Sequence, residues 1–143
     1  MIIKFTASNF EGKCDVDTDF VPYLKKMNEI AVKHEMAVIV TSSFRNSINV
    51  KGAIVPPAKM SNHLIGFAID CNLRYKPTGE YFNSKKMGDN EGLDLLFCED
   101  VVNNSGLRWG QAFKTRDSVH WDLPINLTNP DLWHQKYNEL YPA

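Results

Sequence analysis

The order of apolar and polar residues along the chain predicts one long helix and three strands. Residues 19–34 carry apolar side chains at helical spacing, and Pro22 fits the first turn of a helix. Residues 37–44 are apolar on both faces, which is typical of a strand inside a sheet. Residues 67–73 and 119–123 alternate between apolar and polar side chains, which predicts strands with one face in the core.

The other segments predict loops and further helices. Residues 46–62 contain glycine and proline without a sustained period, which predicts a long loop. Residues 74–90 are polar and contain turn residues, so we expect an excursion or hairpin there. Helical spacing returns at residues 92–104, and Asn129 or Pro130 begins a last helix.

The composition fits one folded domain and excludes several classes of protein. The chain has 143 residues, of which 43% are hydrophobic, and 16 Lys and Arg balance 17 Asp and Glu. Because this charge is nearly neutral, we expect no nucleic-acid partner. The pattern predicts a single small α+β domain over residues 1–143, with a mainly antiparallel sheet of about four strands and flanking helices.

Apolar runs in the chain are short. None approaches the ~20 residues that cross a bilayer, so we expect no integral membrane segment. The first residues lack a basic start followed by an apolar segment, which predicts no signal peptide. We therefore expect synthesis in the cytoplasm, so that any action outside the cell would need release or unconventional export.

The three cysteines are few and widely spaced. This number fits neither a disulfide framework nor a cysteine zinc knuckle. Free cysteine behaves as a small hydrophobic residue, so we expect Cys71 and Cys98 to be buried and reduced. We expect Cys14 to be exposed.

Two of the alternating strands place possible metal ligands on their polar faces. His63 lies just before the first strand, Asp70 lies on the polar face of that strand, and His120 lies on the polar face of the second. Two imidazoles and a carboxylate are a recurrent set for catalytic zinc, with the fourth position left for water. Asp117 could act as a general base, but it would reach the same site as His120 only if residues 115–118 form a turn. On spacing alone, histidines that are merely hydrogen-bonded remain an alternative.

Arg45 follows a predicted strand and is a second candidate for chemistry. A guanidinium at a strand end can donate two hydrogen bonds to a substrate carboxylate, or to a carbonyl oxygen that gains charge. An ordinary ion pair remains the alternative.

His34 and His134 lie on helical segments, and we expect them to be surface or capping residues.

These residues resemble the motifs of the zinc D-Ala-D-Ala carboxypeptidases and L-alanyl-D-glutamate endopeptidases, a family that includes VanY-like enzymes and phage endolysins. All five positions of its S-x-H-x-x-G-x-A-x-D signature are present, as Ser61-x-His63-x-x-Gly66-x-Ala68-x-Asp70. Its other elements resemble Asp117-x-x-His120-Trp121, the upstream pair Trp109-Gly110 and the arginine element Ser42-Ser43-Phe44-Arg45. In the last, Ser43 stands where the family usually has glycine.

The resemblance implies roles for individual residues. It implies zinc on His63, Asp70 and His120, with Asp117 as general base and acid. It also implies substrate contacts around Arg45, Ser61 and Trp109, with Arg45 as substrate or oxyanion anchor and Ser61 supporting the metal site by hydrogen bonding.

The implied activity is hydrolysis of peptidoglycan stem peptides next to a D-amino acid by a monomeric zinc peptidase with a hedgehog-like architecture. An aspartate before the second histidine resembles the endolysin-type L-alanyl-D-glutamate endopeptidases. Two alternatives remain open: a D-alanyl-D-alanine carboxypeptidase, and a zinc-dependent binding domain without turnover. A thiol hydrolase is disfavoured because Cys71 lies on the apolar strand face.

Overall fold

The described residues form strands, four α-helices and several short 3-10 helices. A computed structural model of the protein describes residues 1–45, 60–88 and 92–142. The strands within these ranges are β1 (Ile2–Lys4), β2 (Phe10–Glu11), β3 (Asp15–Asp17), β4 (Met36–Ser42), β5 (Ala68–Tyr75), β6 (Glu80–Phe82), β7 (Arg108–Trp109) and β8 (His120–Asp122). The α-helices are α1 (Val21–Lys33), α2 (Leu93–Ser105), α3 (Ile125–Thr128) and α4 (Pro130–Leu140).

Six of the strands form the main sheet. Its order is β2-β4-β5-β8-β7, and β6 pairs with β5 as well. The pair β2–β4 is parallel and the other pairs are antiparallel. Strands β1 and β3 form a separate antiparallel pair. The predicted α+β class is confirmed, whereas the expected number of about four strands is wrong because several strands are only two or three residues long and show no period.

The core lies on the apolar face of the sheet. Ile69, Cys71 and Leu73 of β5 are fully buried, as the alternation predicted. Helix α1 packs against β4 and α2, and α2 also contacts β5. Asp70 points to the opposite face and stays partly exposed, so the apolar side of β5 supports the fold while its polar side is available for chemistry.

The predicted helix and hairpin segments form close to their expected positions. Residues 19–34 become a 3-10 turn, Thr18–Phe20, followed by α1. The polar segment after β5 turns back as β6. Most of the predicted loop 46–62 lies outside the described residues. No described helix has the length and apolar content needed to span a membrane.

Cys14 is buried, so its predicted exposure is wrong. Only 1% of the residue is exposed, since the N-terminal strands fold over the core and its carbonyl accepts a hydrogen bond from Phe5 N–H at 2.7 Å. Burial raises the pKa of the Cys14 thiol to about 12. The predicted burial of Cys71 and Cys98 is confirmed, and all three cysteines are free thiols.

Candidate metal centre

Three predicted ligands converge on one point at the edge of the polar sheet face. The Oδ1 atom of Asp70 lies 3.3 Å from Nε2 of His63 and 3.3 Å from Nδ1 of His120. One ligand atom from each of the three residues lies within 4.8 Å of the other two. Two ligands bound to zinc at ~2.0–2.1 Å and at the tetrahedral angle are about 3.3–3.4 Å apart. The spacing of these atoms therefore fits a tetrahedral metal ion.

The second nitrogen of each imidazole already has an acceptor. Nδ1 of His63 donates to the carbonyl of Ser43 at 2.8 Å, and Nε2 of His120 donates to Asp122 at 2.8 Å. In a neutral imidazole the other nitrogen then carries a lone pair. Both lone pairs face the same oxygen of Asp70, an arrangement that requires protons or a cation between them. The three ligand atoms thus fit a metal ion, and the acceptors on the outer ring nitrogens fix the tautomers of the two histidines.

A short 3-10 helix, Asn62–Ile65, carries His63 into the site. Ser61 caps it, because its hydroxyl accepts a hydrogen bond from the His63 N–H at 3.2 Å. Helix α4 packs behind it, and Trp133 Nε1 donates to the Ser61 carbonyl at 3.3 Å. Gly66 ends the helix with φ +78°, and a Cβ there would lie 2.6 Å from the Asp17 nitrogen. Only glycine fits that turn into β5.

The sheet register brings the other two ligands together. Asp70 of β5 and His120 of β8 are directly paired across the antiparallel strands. Directly opposed residues place their side chains on the same face, about 4.5–5.5 Å apart at Cβ. The pairing therefore explains why residues fifty positions apart in the chain share a site.

Asp117 and His120 are joined by the turn that the sequence required. The Asp117 carbonyl accepts a hydrogen bond from the His120 N–H at 3.1 Å, which closes a turn through residues 117–120. This turn lies slightly later than the predicted 115–118. The Asp117 N–H in turn donates to the Gly110 carbonyl at 2.9 Å. The main chain thus ties the exposed Asp117 directly to the strand that carries a ligand.

The Trp109-Gly110 pair packs against this turn. Trp109 Nε1 donates to the Ser118 carbonyl at 2.7 Å, and its ring stacks on Trp121 with centroids 5.5 Å apart. A Cβ at Gly110 would collide with the Asp117 carbonyl. Small size at this position therefore allows the turn to approach β7.

Trp109 also lines a cavity of about 550 Å³ against α2, together with Arg108 and Gln111. None of the three ligands lines this cavity. The side of Trp109 that faces it is separate from the metal centre, and a contact between Trp109 and substrate stays a prediction.

A main-chain hydrogen bond holds Arg45 next to His63. Its N–H donates to the His63 carbonyl at 3.1 Å, and its own carbonyl accepts from the Tyr141 hydroxyl at 3.2 Å. The residue itself is exposed. The main chain of the predicted arginine element is thus fixed next to a ligand, while the guanidinium faces solvent.

Asp122 is the central site residue that the sequence reasoning missed. It is 1% exposed and its two oxygens accept hydrogen bonds from His120, from Arg108 at 2.8 and 2.7 Å, and from Asn62 at 3.0 Å. The alternation of β8 had placed it on the same face as His120, which was the available signal. No sequence signal pointed to its partner Arg108, because the contact between Arg108 and Asp122 depends on the pairing of β7 with β8.

The charges of the centre follow from burial and hydrogen bonding together. Burial raises the pKa of the Asp70 carboxyl, but its hydrogen-bonding contacts with His120 and His63 outweigh burial and hold it well below its ordinary value. Burial likewise lowers the pKa of His120, whereas its bonds to Asp122 and Asp70 raise it to about 9. The pKa of Asp122 falls to about 2 despite burial, through its bonds with His120 and Arg108. Both carboxylates are therefore charged at neutral pH.

Comparison with known proteins supports the motif resemblance. A search of curated proteins gives no match for this chain. Residues 56–123 match a family model described as D-alanyl-D-alanine carboxypeptidase. The matched segment contains the three candidate ligands and Asp117, and Arg45 lies outside it. The match supports peptidase activity in general. The family resemblance seen in the motifs is therefore confirmed by the D-alanyl-D-alanine carboxypeptidase model over residues 56–123.

Proposed function

We propose that the protein is a zinc-dependent peptidase that cleaves peptidoglycan stem peptides next to a D-amino acid, with L-alanyl-D-glutamate endopeptidase activity favoured. The observation that carries the proposal is the convergence of two imidazole nitrogens on one carboxylate oxygen, at 3.3 Å each. Zinc bound by His63, Asp70 and His120 would supply the Lewis acidity that polarises a scissile carbonyl and lowers the pKa of water.

Asp117 is the proposed general base and acid. Its carboxylate would accept a proton from the attacking water and pass it to the departing amine. Two features support this role: the turn that bonds its carbonyl to the His120 N–H, and its exposure at the protein surface. An exposed carboxylate can exchange protons with solvent.

Arg45 is the proposed anchor for substrate. The bond between its N–H and the carbonyl of His63 supports a position next to the metal centre, and its solvent-facing guanidinium can donate two parallel hydrogen bonds. Stem peptides carry free carboxylates, so one fixed cation suits them even though the chain is nearly neutral overall. Ser61 supports the centre by capping the helix of His63.

The description of the matching family model is an argument for the alternative, a D-alanyl-D-alanine carboxypeptidase. The two activities differ in their products. An L-alanyl-D-glutamate endopeptidase creates a new amino terminus on D-glutamate, whereas a D-alanyl-D-alanine carboxypeptidase releases free D-alanine from a pentapeptide stem.

Mass spectrometry of products from purified peptidoglycan and from a defined pentapeptide stem tests the proposal. We expect new D-glutamate amino termini, loss of activity on chelation and recovery with zinc. Iodoacetamide should leave native activity unchanged, because all three thiols are buried. Released D-alanine alone would support the carboxypeptidase. Zinc binding without any product would indicate a binding domain and overturn the proposal.

A further inference from the structure

Asp122 connects the two elements that carry the histidine ligands. On one side it accepts a hydrogen bond from His120 Nε2–H, and on the other it accepts one from Asn62, the neighbour of His63. Asn62 is fixed in turn by Asn126, because its amide donates to Asn126 Oδ1 at 3.0 Å. One buried carboxylate therefore links β8 to the 3-10 helix of the metal centre.

Among the described residues, every hydrogen bond to Asp122 comes from an N–H donor, one to Oδ1 and three to Oδ2. Two N–H groups of Arg108, one of Asn62 and one of His120 approach its two oxygens. An ionised carboxylate has about four acceptor sites and no donor. If the proton of His120 moved to Nδ1, the lone pair of Nε2 would face a buried carboxylate. This arrangement excludes that tautomer.

We infer that Asp122, held by Arg108 and Asn62, is a positioning residue that keeps His120 in the tautomer with Nδ1 free to bind metal. The inference rests on the proposed function, because it concerns the same centre. It deepens that proposal by assigning the affinity for metal partly to a residue that does not itself contact the ion. Outer partners of this kind typically change metal affinity by about 10–100-fold.

Arg108 is what allows a carboxylate to be buried at this position. Its guanidinium forms a forked pair with both oxygens of Asp122 and lies 4.6 Å from the centre of the Phe113 ring. The ring of Phe113 in turn contacts that of His120, with centroids 5.4 Å apart. Arg108 therefore supports His120 both through Asp122 and through Phe113.

The decisive variant is Asp122→Asn, which keeps the shape of the side chain. Whichever way the amide is turned, its NH2 group meets a donor of either Arg108 or His120. We expect zinc affinity, measured by competition with a chromophoric chelator, to fall about 10–100-fold. In ¹⁵N NMR spectra of the metal-free protein, recorded above pH 9 so that the ring is neutral, His120 should change from one tautomer to a mixture.

The chain offers a matched control in a second histidine–carboxylate pair. Asp100 accepts a hydrogen bond from His34 at 2.7 Å outside the metal centre. Asp100→Asn should leave zinc affinity and the His120 spectrum unchanged. If Asp122→Asn fails to fold, Arg108→Lys decides the question, since it keeps the charge but loses the forked pair and should weaken zinc binding several-fold.

The outcomes separate this inference from the proposed function. If the wild-type protein binds no zinc, the proposed function fails. If the wild type binds zinc and the folded variants at positions 122 and 108 bind it equally well with an unchanged His120 tautomer, the positioning role is wrong while the proposed function stands.

Discussion

Asp70 and His120 are direct partners across strands β5 and β8, and their facing atoms are 3.3 Å apart. The same oxygen of Asp70 lies equally far from Nε2 of His63. A single carboxylate oxygen thus contacts ligands from both the sheet and the 3-10 helix Asn62–Ile65.

Replacement of Asp117 should remove catalysis and leave the metal centre intact. Asp117→Ala deletes the proposed proton carrier without changing any of the three ligands, and general acid–base catalysis is worth about 10²–10⁴-fold in rate. Hydrolysis of purified peptidoglycan should fall by that factor at unchanged zinc content. Asp131→Ala, on the exposed start of α4, is a matched control. Undiminished hydrolysis by Asp117→Ala would refute its role.

Replacement of Arg45 should weaken catalysis through the substrate. Loss of one donor to a developing oxyanion costs about 10²–10³-fold in kcat, whereas loss of a carboxylate contact raises KM. Steady-state kinetics of Arg45→Ala on a defined stem peptide distinguishes these two effects. Arg45→Lys keeps the charge but not the planar fork and should recover only part of the activity. Wild-type kinetics in Arg45→Ala would remove the residue from the site.

A methyl group at Gly110 should disturb the metal centre through the backbone. The added Cβ meets the Asp117 carbonyl, so the turn that ends at His120 must shift. We expect Gly110→Ala to lower the free energy of unfolding by about 1–3 kcal/mol and to weaken zinc binding. Calorimetry and chelator competition measure the two effects.

Gly79→Ala separates this collision from backbone strain. Gly79 has φ +77° but no atom within 4 Å of an added Cβ. Its substitution should cost about 1–2 kcal/mol through backbone strain alone and leave zinc affinity unchanged. Equal zinc affinities in the two glycine variants would contradict the proposed route from Gly110 to His120.

The surface pair of Asp100 and His34 should give a defined acid dependence of stability. The hydrogen bond from His34, together with one from Asn104, lowers the pKa of Asp100 to about 2. Because the pKa is lower in the folded state, the stabilisation is fully present above the unfolded value of about 3.9 and is lost as the pH falls through about 2.

Thermal unfolding of the wild type and Asp100→Asn from pH 6 to pH 2 measures this effect. The wild type should be more stable above pH 4, and the difference should shrink towards pH 2. A difference that is independent of pH would show that the stabilisation does not come from the ionised carboxylate.

The ligands could be predicted from the sequence because their strands alternate. Period-two patterns placed Asp70 and His120 on polar faces, and the requirement for a turn after Asp117 followed from the same geometry. Strands β1, β2 and β3 could not be found in this way, because segments of two or three residues do not define a period. The burial of Cys14 was missed with them.

The helical segments, the polar faces of β5 and β8, and the types of residue that metal chemistry would need could all be predicted from the sequence. The pairing of Asp70 with His120, the acceptor on each outer ring nitrogen, and the junction of Asp122 with Arg108 and Asn62 became visible only in the folded chain. Side-chain periodicity is a local property of the backbone, whereas strand register and buried hydrogen bonds depend on how distant segments pack.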